Sequence, residues 1–149
     1  MRLSLFAGAI MLALYCSAHA QDWSRAPIYE RPNDLSAGFL PDPHVMSALA
    51  GGDIDAATSI GGACAGFLSA SPGATFTYQA GERFPLIIRF DAEAGATYVV
   101  RAGDGAWYCG VAANGLRFST PASGGYDVWI GLRERGAQQR VQISLSERD

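Results

Sequence analysis

Residues 124–132 read Gly-Gly-Tyr-Asp-Val-Trp-Ile-Gly-Leu, and this stretch decides the fold class of the chain. After the two glycines, apolar residues recur at every second position, which is the period of a β-strand with one buried face. Tyr126, Val128, Ile130 and Leu132 form the predicted inward set, and Trp129 falls on the outward face. Because similar segments surround it, we expect this strand to lie in the centre of its sheet.

Six further segments show strand-like patterns, and Gly-rich turns separate them. They are residues 75–79, 86–90, 96–101, 107–109, 116–118 and 138–145. Short strands with turns every eight to twelve residues or so are typical of an antiparallel sandwich or barrel. Residues 44–50 are compatible with a first strand or with a short helical turn, and no helix of ordinary length is predicted.

The first twenty residues have the pattern of a cleaved signal peptide. Arg2 precedes an almost wholly apolar run over residues 3–15, and Ala18-His19-Ala20 fits the small-residue rule at the cleavage site. The run is too short to cross a membrane comfortably, so no transmembrane anchor is expected. We therefore predict a periplasmic or secreted bacterial protein.

The mature chain would begin at Gln21 and divide into two parts. Residues 21–43 contain four prolines and predict an extended leader, which Trp23 and Tyr29 could dock onto the domain. Residues 44–146 are the predicted β-sandwich domain, and a short polar tail follows. Within the predicted domain, residues 51–73 are rich in Gly, Ala and Ser. Asp53 and Asp55 within that segment favour a solvated turn over a calcium loop, which would need more oxygen ligands.

The charged residues argue against one class of partner. The chain has 11 basic and 14 acidic side chains, and every basic residue is arginine. Removing Arg2 with the signal peptide leaves 10 against 14, a formal charge of −4. No basic patch is visible in the sequence, so nucleic-acid binding is not expected.

Two cysteines, Cys64 and Cys109, remain after removal of the signal peptide. A pair of cysteines in an exported chain most often forms a disulfide, although two separate buried thiols are the alternative. His44 is then the sole histidine, and the three residues lack the spacing of a zinc site. We expect no metal and no other cofactor.

Several blocks occur in an order that resembles a known family. They are Gly38-Phe39-Leu40-Pro41-Asp42-Pro43, Ala50-Gly51-Gly52, Cys64-Ala65-Gly66-Phe67, Pro85-Leu86-Ile87-Ile88, Gly103-Asp104-Gly105-Ala106-Trp107-Tyr108-Cys109 and Ser123-Gly124-Gly125-Tyr126-Asp127-Val128-Trp129-Ile130-Gly131. This order resembles small exported bacterial proteins related to the bacterial pre-peptidase C-terminal domain. The resemblance spans roughly residues 38–145 and implies an antiparallel, jelly-roll-like β-sandwich of about seven to eight strands.

The resemblance also bears on function. Such domains are usually appended to secreted proteases, and their stand-alone relatives sometimes carry a peptidase label that comes from those neighbours. The family often has an acidic pair after the cysteine, whereas Gly110-Val111-Ala112-Ala113 follows Cys109 here. Relatives often have a Pro-Asp turn before the strand that contains Phe76, whereas this chain has Pro72-Gly73 there. Calcium binding is therefore disfavoured.

Candidates for catalysis are few. A Ser-His-Asp triad would need His44 as its base, and Ser123 lacks the strand-to-helix setting of a nucleophile elbow. Pairing with Cys64 would remove Cys109 as a nucleophile. The carboxylate pairs Asp91 with Glu93 and Asp104 with Asp127 fit solvated loops better than an acid/base pair. The sequence thus favours a protein that is not an enzyme.

A binding module is the stronger interpretation. Trp107 shares a face with Cys109 and should pack against the disulfide. Trp129, Tyr108 and Arg117 form the candidate binding surface on outer faces, unless the leader covers them. We therefore expect a non-catalytic exported module that binds protein or polysaccharide. The alternative is a structural or chaperone-like partner of a secreted protease, acting in trans.

Overall fold

The computed structural model describes residues 21–22 and 33–149, and almost all of its regular structure is β-strand. The elements of these residues are β1 (Asn33–Ser36), β2 (His44–Gly51), β3 (Ile54–Asp55), α1 (Ala56–Ser59), β4 (Phe67–Leu68), β5 (Ala74–Gln79), β6 (Leu86–Asp91), β7 (Thr97–Arg101), β8 (Trp107–Val111), a turn of 3-10 helix (Ala112–Asn114), β9 (Leu116–Phe118), β10 (Gly124–Gly131) and β11 (Gln138–Ser146). The predicted all-β fold is confirmed, and residues 44–50 form a strand.

The nine longer strands make two layers. The first sheet has the order β1-β5-β10-β7-β8, and the second has the order β2-β11-β6-β9. One parallel pair, Ile130 beside Ala50, joins the two sheets. β10 pairs with β5 on one side and with β7 on the other, so its predicted central position is confirmed. Most pairs are antiparallel, but β1 runs parallel to β5.

The core lies between the two sheets and contains the predicted inward residues. Tyr126, Val128 and Ile130 of β10 are each at most 1% exposed, because they face the inward residues of the second sheet. Rings meet across the layers, where Phe90 of β6 stacks on Tyr98 of β7 with centroids 5.0 Å apart. Such aromatic pairs add about 0.5–1.5 kcal/mol beyond the burial of their area. The arrangement is therefore a β-sandwich.

The sandwich includes residues that the sequence assigned to the leader. β1 pairs with β5 over residues 33–36, and the side chain of Phe39 is buried in the main core. Residues 23–32 of the predicted leader, with Trp23 and Tyr29, lie outside the described residues. The predicted signal peptide also lies outside them.

Residues 54–68, here called the cover, lie on the outer face of the first sheet. β3 pairs with β4, and α1 begins where Asp55 accepts a hydrogen bond from the backbone N–H of Ala57 at 3.0 Å. Ala56 and Leu68 are both fully buried. The turn predicted around Asp53 and Asp55 instead contains β3 and the start of α1, and it buries Ala56 against the sheet while Ala57 and Thr58 stay exposed.

Candidate functional site

A disulfide between Cys64 and Cys109 ties the cover to β8. The two Cα atoms are 5.0 Å apart, and the two residues are separated by 45 positions in the sequence. This distance lies within the usual range for a disulfide. The predicted pairing is confirmed, and it removes Cys109 as a nucleophile.

Trp129 is buried beneath the cover. It lies on the face of β10 that points away from the main core, and it is 1% exposed. It packs with Ala56, Leu68 and Val99, and its ring centroid is 5.6 Å from that of Trp107. Trp107 and Cys109 pack against the same cluster. Trp129 therefore offers no surface on which a ligand could stack, and the expectation that it could do so is wrong.

Tyr108 and Arg117 do not join Trp129. Tyr108 alternates with Trp107 and Cys109 as predicted, but it packs against the main core, where its ring meets Phe118 edge-on at 4.9 Å. Its predicted outer position is wrong, because the disulfide lies under the cover and not between the two sheets. The side chain of Arg117 is 45% exposed and lies 3.6 Å from Asp149. The three candidate residues thus lie in three different environments.

The residues considered for catalysis are engaged in packing and turns. The hydroxyl of Ser123 accepts a hydrogen bond from the backbone N–H of Ala80 at 2.9 Å. His44 lies beside Phe39, with ring centroids 6.4 Å apart. Asp104 accepts from the backbone N–H of Ala106 within its turn. These contacts hold loops and strand ends together.

The carboxyl of Asp127 is half-buried on β10. Burial raises the pKa of its carboxyl, and Arg101 at 3.5 Å on the neighbouring strand acts in the opposite direction. Burial also raises the pKa of Tyr126 to about 12, and its hydroxyl donates to the carbonyl of Ala122 at 2.7 Å. Within residues 21–22 and 33–149, no cluster of three or more His, Cys, Asp or Glu side chains is placed to hold a metal ion.

The predicted polar tail contains a buried acid that sequence reasoning missed. Glu147 is 7% exposed and accepts hydrogen bonds from the hydroxyl of Tyr78 at 2.6 Å and from the backbone N–H of Gly38 at 2.7 Å. Burial, followed by this bond to Glu147, raises the pKa of Tyr78. Next to it, Arg148 pairs with the buried Asp42 at 3.3 Å. These contacts fasten the loop before β2 to the end of β11.

The outer face of the second sheet, here called the open face, is exposed over much of its width. Its outward positions come from alternate residues of β2, β11, β6 and β9, which the register sets side by side. One row is Ser47, Gln142 and Asp91, and the next is Val45, Ser144 and Arg89. The exposed fraction of Val45 is 51%, which is high for a large apolar residue.

Arginine dominates the charge of the open face. Three arginines and one aspartate occupy its outward strand positions, namely Arg89, Arg117, Arg140 and Asp91. The chain as a whole carries a formal charge of −3. A shallow depression of about 500 Å³ is lined by Arg140, Gln142 and Ser47 and also by the acids Asp91 and Glu93. A second depression of about 300 Å³ lies beside Val45 and Arg89.

No family model and no curated protein matches the chain, so the resemblance to pre-peptidase C-terminal domains stays a prediction. Among solved structures, a mutant of PliG-Ec, a periplasmic lysozyme inhibitor of g-type lysozyme from Escherichia coli, is similar with 13% identity and a TM-score of 0.41. That similarity covers 78% of this chain and 98% of the inhibitor.

The PliG of Salmonella Typhimurium, also a periplasmic lysozyme inhibitor of g-type lysozyme, has 14% identity and a TM-score of 0.38. The similarity covers 76% of this chain and 97% of that one. At these values the likeness does not carry the inhibitors' partner over to this chain. Within the described part of the chain, no helix is long and apolar enough to span a membrane.

Proposed function

We propose that the chain is a non-catalytic module that is exported to the periplasm or beyond and binds a partner protein through its open face. The observation that carries the proposal is the exposure of Val45 on a sheet face whose other exposed outward residues are Arg, Gln and Asp. Arginine is enriched in protein interfaces, and an exposed apolar residue among polar ones supplies contact area.

Export is supported by two independent features. The first twenty residues have the pattern of a signal peptide, and the disulfide between Cys64 and Cys109 belongs in an oxidising compartment. A structural disulfide would not persist in a reducing cytoplasm. The proposed site of action is therefore the periplasm or the cell exterior.

A protein partner fits the open face better than a polysaccharide does. A glycan platform was the proposed role of Trp129, which is buried, and of Tyr108, which packs against the main core. Among the described residues lining the two depressions, the aromatic one is Phe90, which is also buried in that core. The exposed arginines instead favour a partner surface that carries carboxylates.

The test is quantitative capture of exported proteins on the immobilised mature domain. We expect Arg89→Glu to weaken capture of the specific partner by about tenfold, because it places a carboxylate opposite the carboxylates of that partner. Arg83→Glu is the matched control, since it makes the same change of charge in the exposed loop between β5 and β6. Raising the salt concentration should weaken capture by the wild type.

Capture by the two variants shows whether the partner binds at the open face. A partner lost with Arg89→Glu and retained with Arg83→Glu supports the open face. Equal capture by both variants contradicts it. If the domain captures no exported protein but is retained on a polysaccharide matrix, the proposal of a protein partner is wrong.

A further inference from the structure

Gln21 is buried although it lies at the predicted cleavage point. The residue is 5% exposed, and the backbone N–H of the next residue, Asp22, donates to the carbonyl of Ala70 at 2.8 Å. Ala70 follows β4 and therefore lies just beyond the cover. The start of the mature chain is thus held against the body of the domain.

The side-chain nitrogen of Gln21 has an unfavourable position. Its Nε2 atom is buried and has no hydrogen-bond partner. A buried amide without a partner destabilises a fold, because the hydrogen bonds it made with water are not replaced. Cleavage after Ala20 would add a second cost, since it creates a positively charged α-amine on the same buried residue.

One reaction removes both the unpaired amide nitrogen and the charged α-amine. We propose that Gln21 becomes the first residue on export and cyclises to pyroglutamate, so that the domain carries a neutral, blocked N-terminus. This inference rests on the export and cleavage proposed above. It assigns a covalent modification to a residue whose position in the fold otherwise leaves a polar nitrogen unpaired.

The chemistry needs no further reactant. The α-amine nitrogen of Gln21 attacks Cδ of its own side chain, and a new N–Cδ bond closes a five-membered lactam. The Cδ–Nε2 bond breaks, and Nε2 leaves as ammonia with the proton that the amine gives up. The ring keeps the carbon atoms and the carbonyl oxygen of the side chain. It loses the Nε2 atom of Gln21, which is buried without a hydrogen-bond partner.

The first test is the mass of the exported protein after reduction, together with that of its N-terminal peptide. We expect a chain that begins at residue 21 and is lighter by one ammonia molecule than the unmodified sequence. A chain that begins at residue 21 and has the full mass of the unmodified sequence overturns the cyclisation but leaves the proposed export intact. A chain that begins at any other residue overturns both the cyclisation and the cleavage site.

Two variants test whether the ring matters to the fold. Gln21→Asn keeps a side-chain amide but cannot close the five-membered ring. A chain that starts at Ala20 keeps Gln21 and blocks its amine in a peptide bond. We expect both proteins to remain unmodified, to melt several degrees below the wild type and to be open to aminopeptidase digestion. Melting of all three proteins at the same temperature contradicts the stabilising role of the ring.

Discussion

The two outer faces of this sandwich differ in their exposure to solvent. The outer face of the first sheet carries Val99, Trp107 and Trp129, and the cover and the disulfide bury Val99 and Trp129 completely and Trp107 in part. The outer face of the second sheet carries Val45, Arg89 and Gln142 and stays largely exposed. The two faces thus differ in the side chains at their outward positions.

The outward residues determine whether a sheet needs a third layer. Val99 and Trp129 would expose a large apolar area, and covering them stabilises the fold by roughly 25 cal/mol for each Å² that is removed from water. Arg89 and Gln142 gain nothing from such burial, because their polar groups would lose hydrogen bonds to water. A covered face serves stability, and an open polar face is available to a partner.

The sharpest test of this contrast is the removal of one apolar side chain from each face. Trp129→Ala should lower the free energy of unfolding by about 3–5 kcal/mol, because it leaves a large cavity under the cover. Val45→Ala, on the open face, should change it by less than about 0.5 kcal/mol. Denaturant unfolding of the two variants beside the wild type measures both effects.

The binding readout completes this comparison. We expect Trp129→Ala, at a temperature where it remains folded, to capture the partner as the wild type does. Should Trp129→Ala unfold no more easily than Val45→Ala, the cluster beneath the cover does not stabilise the domain. The contrast between the two faces would then be wrong.

The disulfide is the second determinant of the covered face. Cys64→Ser should cost about 2–4 kcal/mol and lower the melting temperature by roughly 10 °C, since the open chain gains conformational freedom when it unfolds. Excess reductant should lower the melting temperature of the wild type to that of the variant. The tryptophan emission of the variant should also shift to longer wavelength if the cover loosens over Trp129. Identical melting of both proteins without reductant would show that Cys64 and Cys109 are not paired.

Alternation along the chain was enough to predict the strands of the sandwich. The inward set of β10 was correctly predicted, because a two-residue period fixes which side chains share a face. Tyr108 was assigned to the wrong side, although its alternation with Cys109 was correct. The period cannot say which face of a short strand meets the core. The disulfide shows which face of β8 meets the core. Cys109 pairs with Cys64, which lies in the cover and not in the other sheet, so Cys109 faces outward and Tyr108 faces the core.

The cover and Glu147 could not be predicted for a different reason. Residues 54–68 contain small residues without a period, so no local signal distinguishes close packing from a solvated turn. Glu147 is buried by contacts with Gly38, which lies 109 positions earlier, and with Tyr78. Such a site depends on how the whole chain folds. Arg117 is the one predicted binding residue that lies on the open face, because the other polar residues of that face look like any solvated surface until the opposite face is seen to be covered.

The contrast can be sharpened within a single strand by substituting two glycines of β10. A Cβ atom at Gly131 would lie 2.4 Å from the Thr97 hydroxyl oxygen and 3.1 Å from the carbonyl oxygen of Ala65, which belongs to the cover. A Cβ atom at Gly125, near the other end of the strand, would meet nothing within 4 Å. The cover thus approaches the sheet closely at one of these positions.

Gly131→Ala should therefore cost about 1–3 kcal/mol, because the Thr97 hydroxyl and the cover to which it donates a hydrogen bond must both move away from β10. Gly125→Ala should leave the stability unchanged or raise it slightly, since a strand interior tolerates alanine better than glycine. Chemical unfolding of the two variants gives the comparison directly. If both variants unfold alike, the backbone of the cover does not press on β10 at Gly131. The small residues of the cover would then need another explanation than close packing.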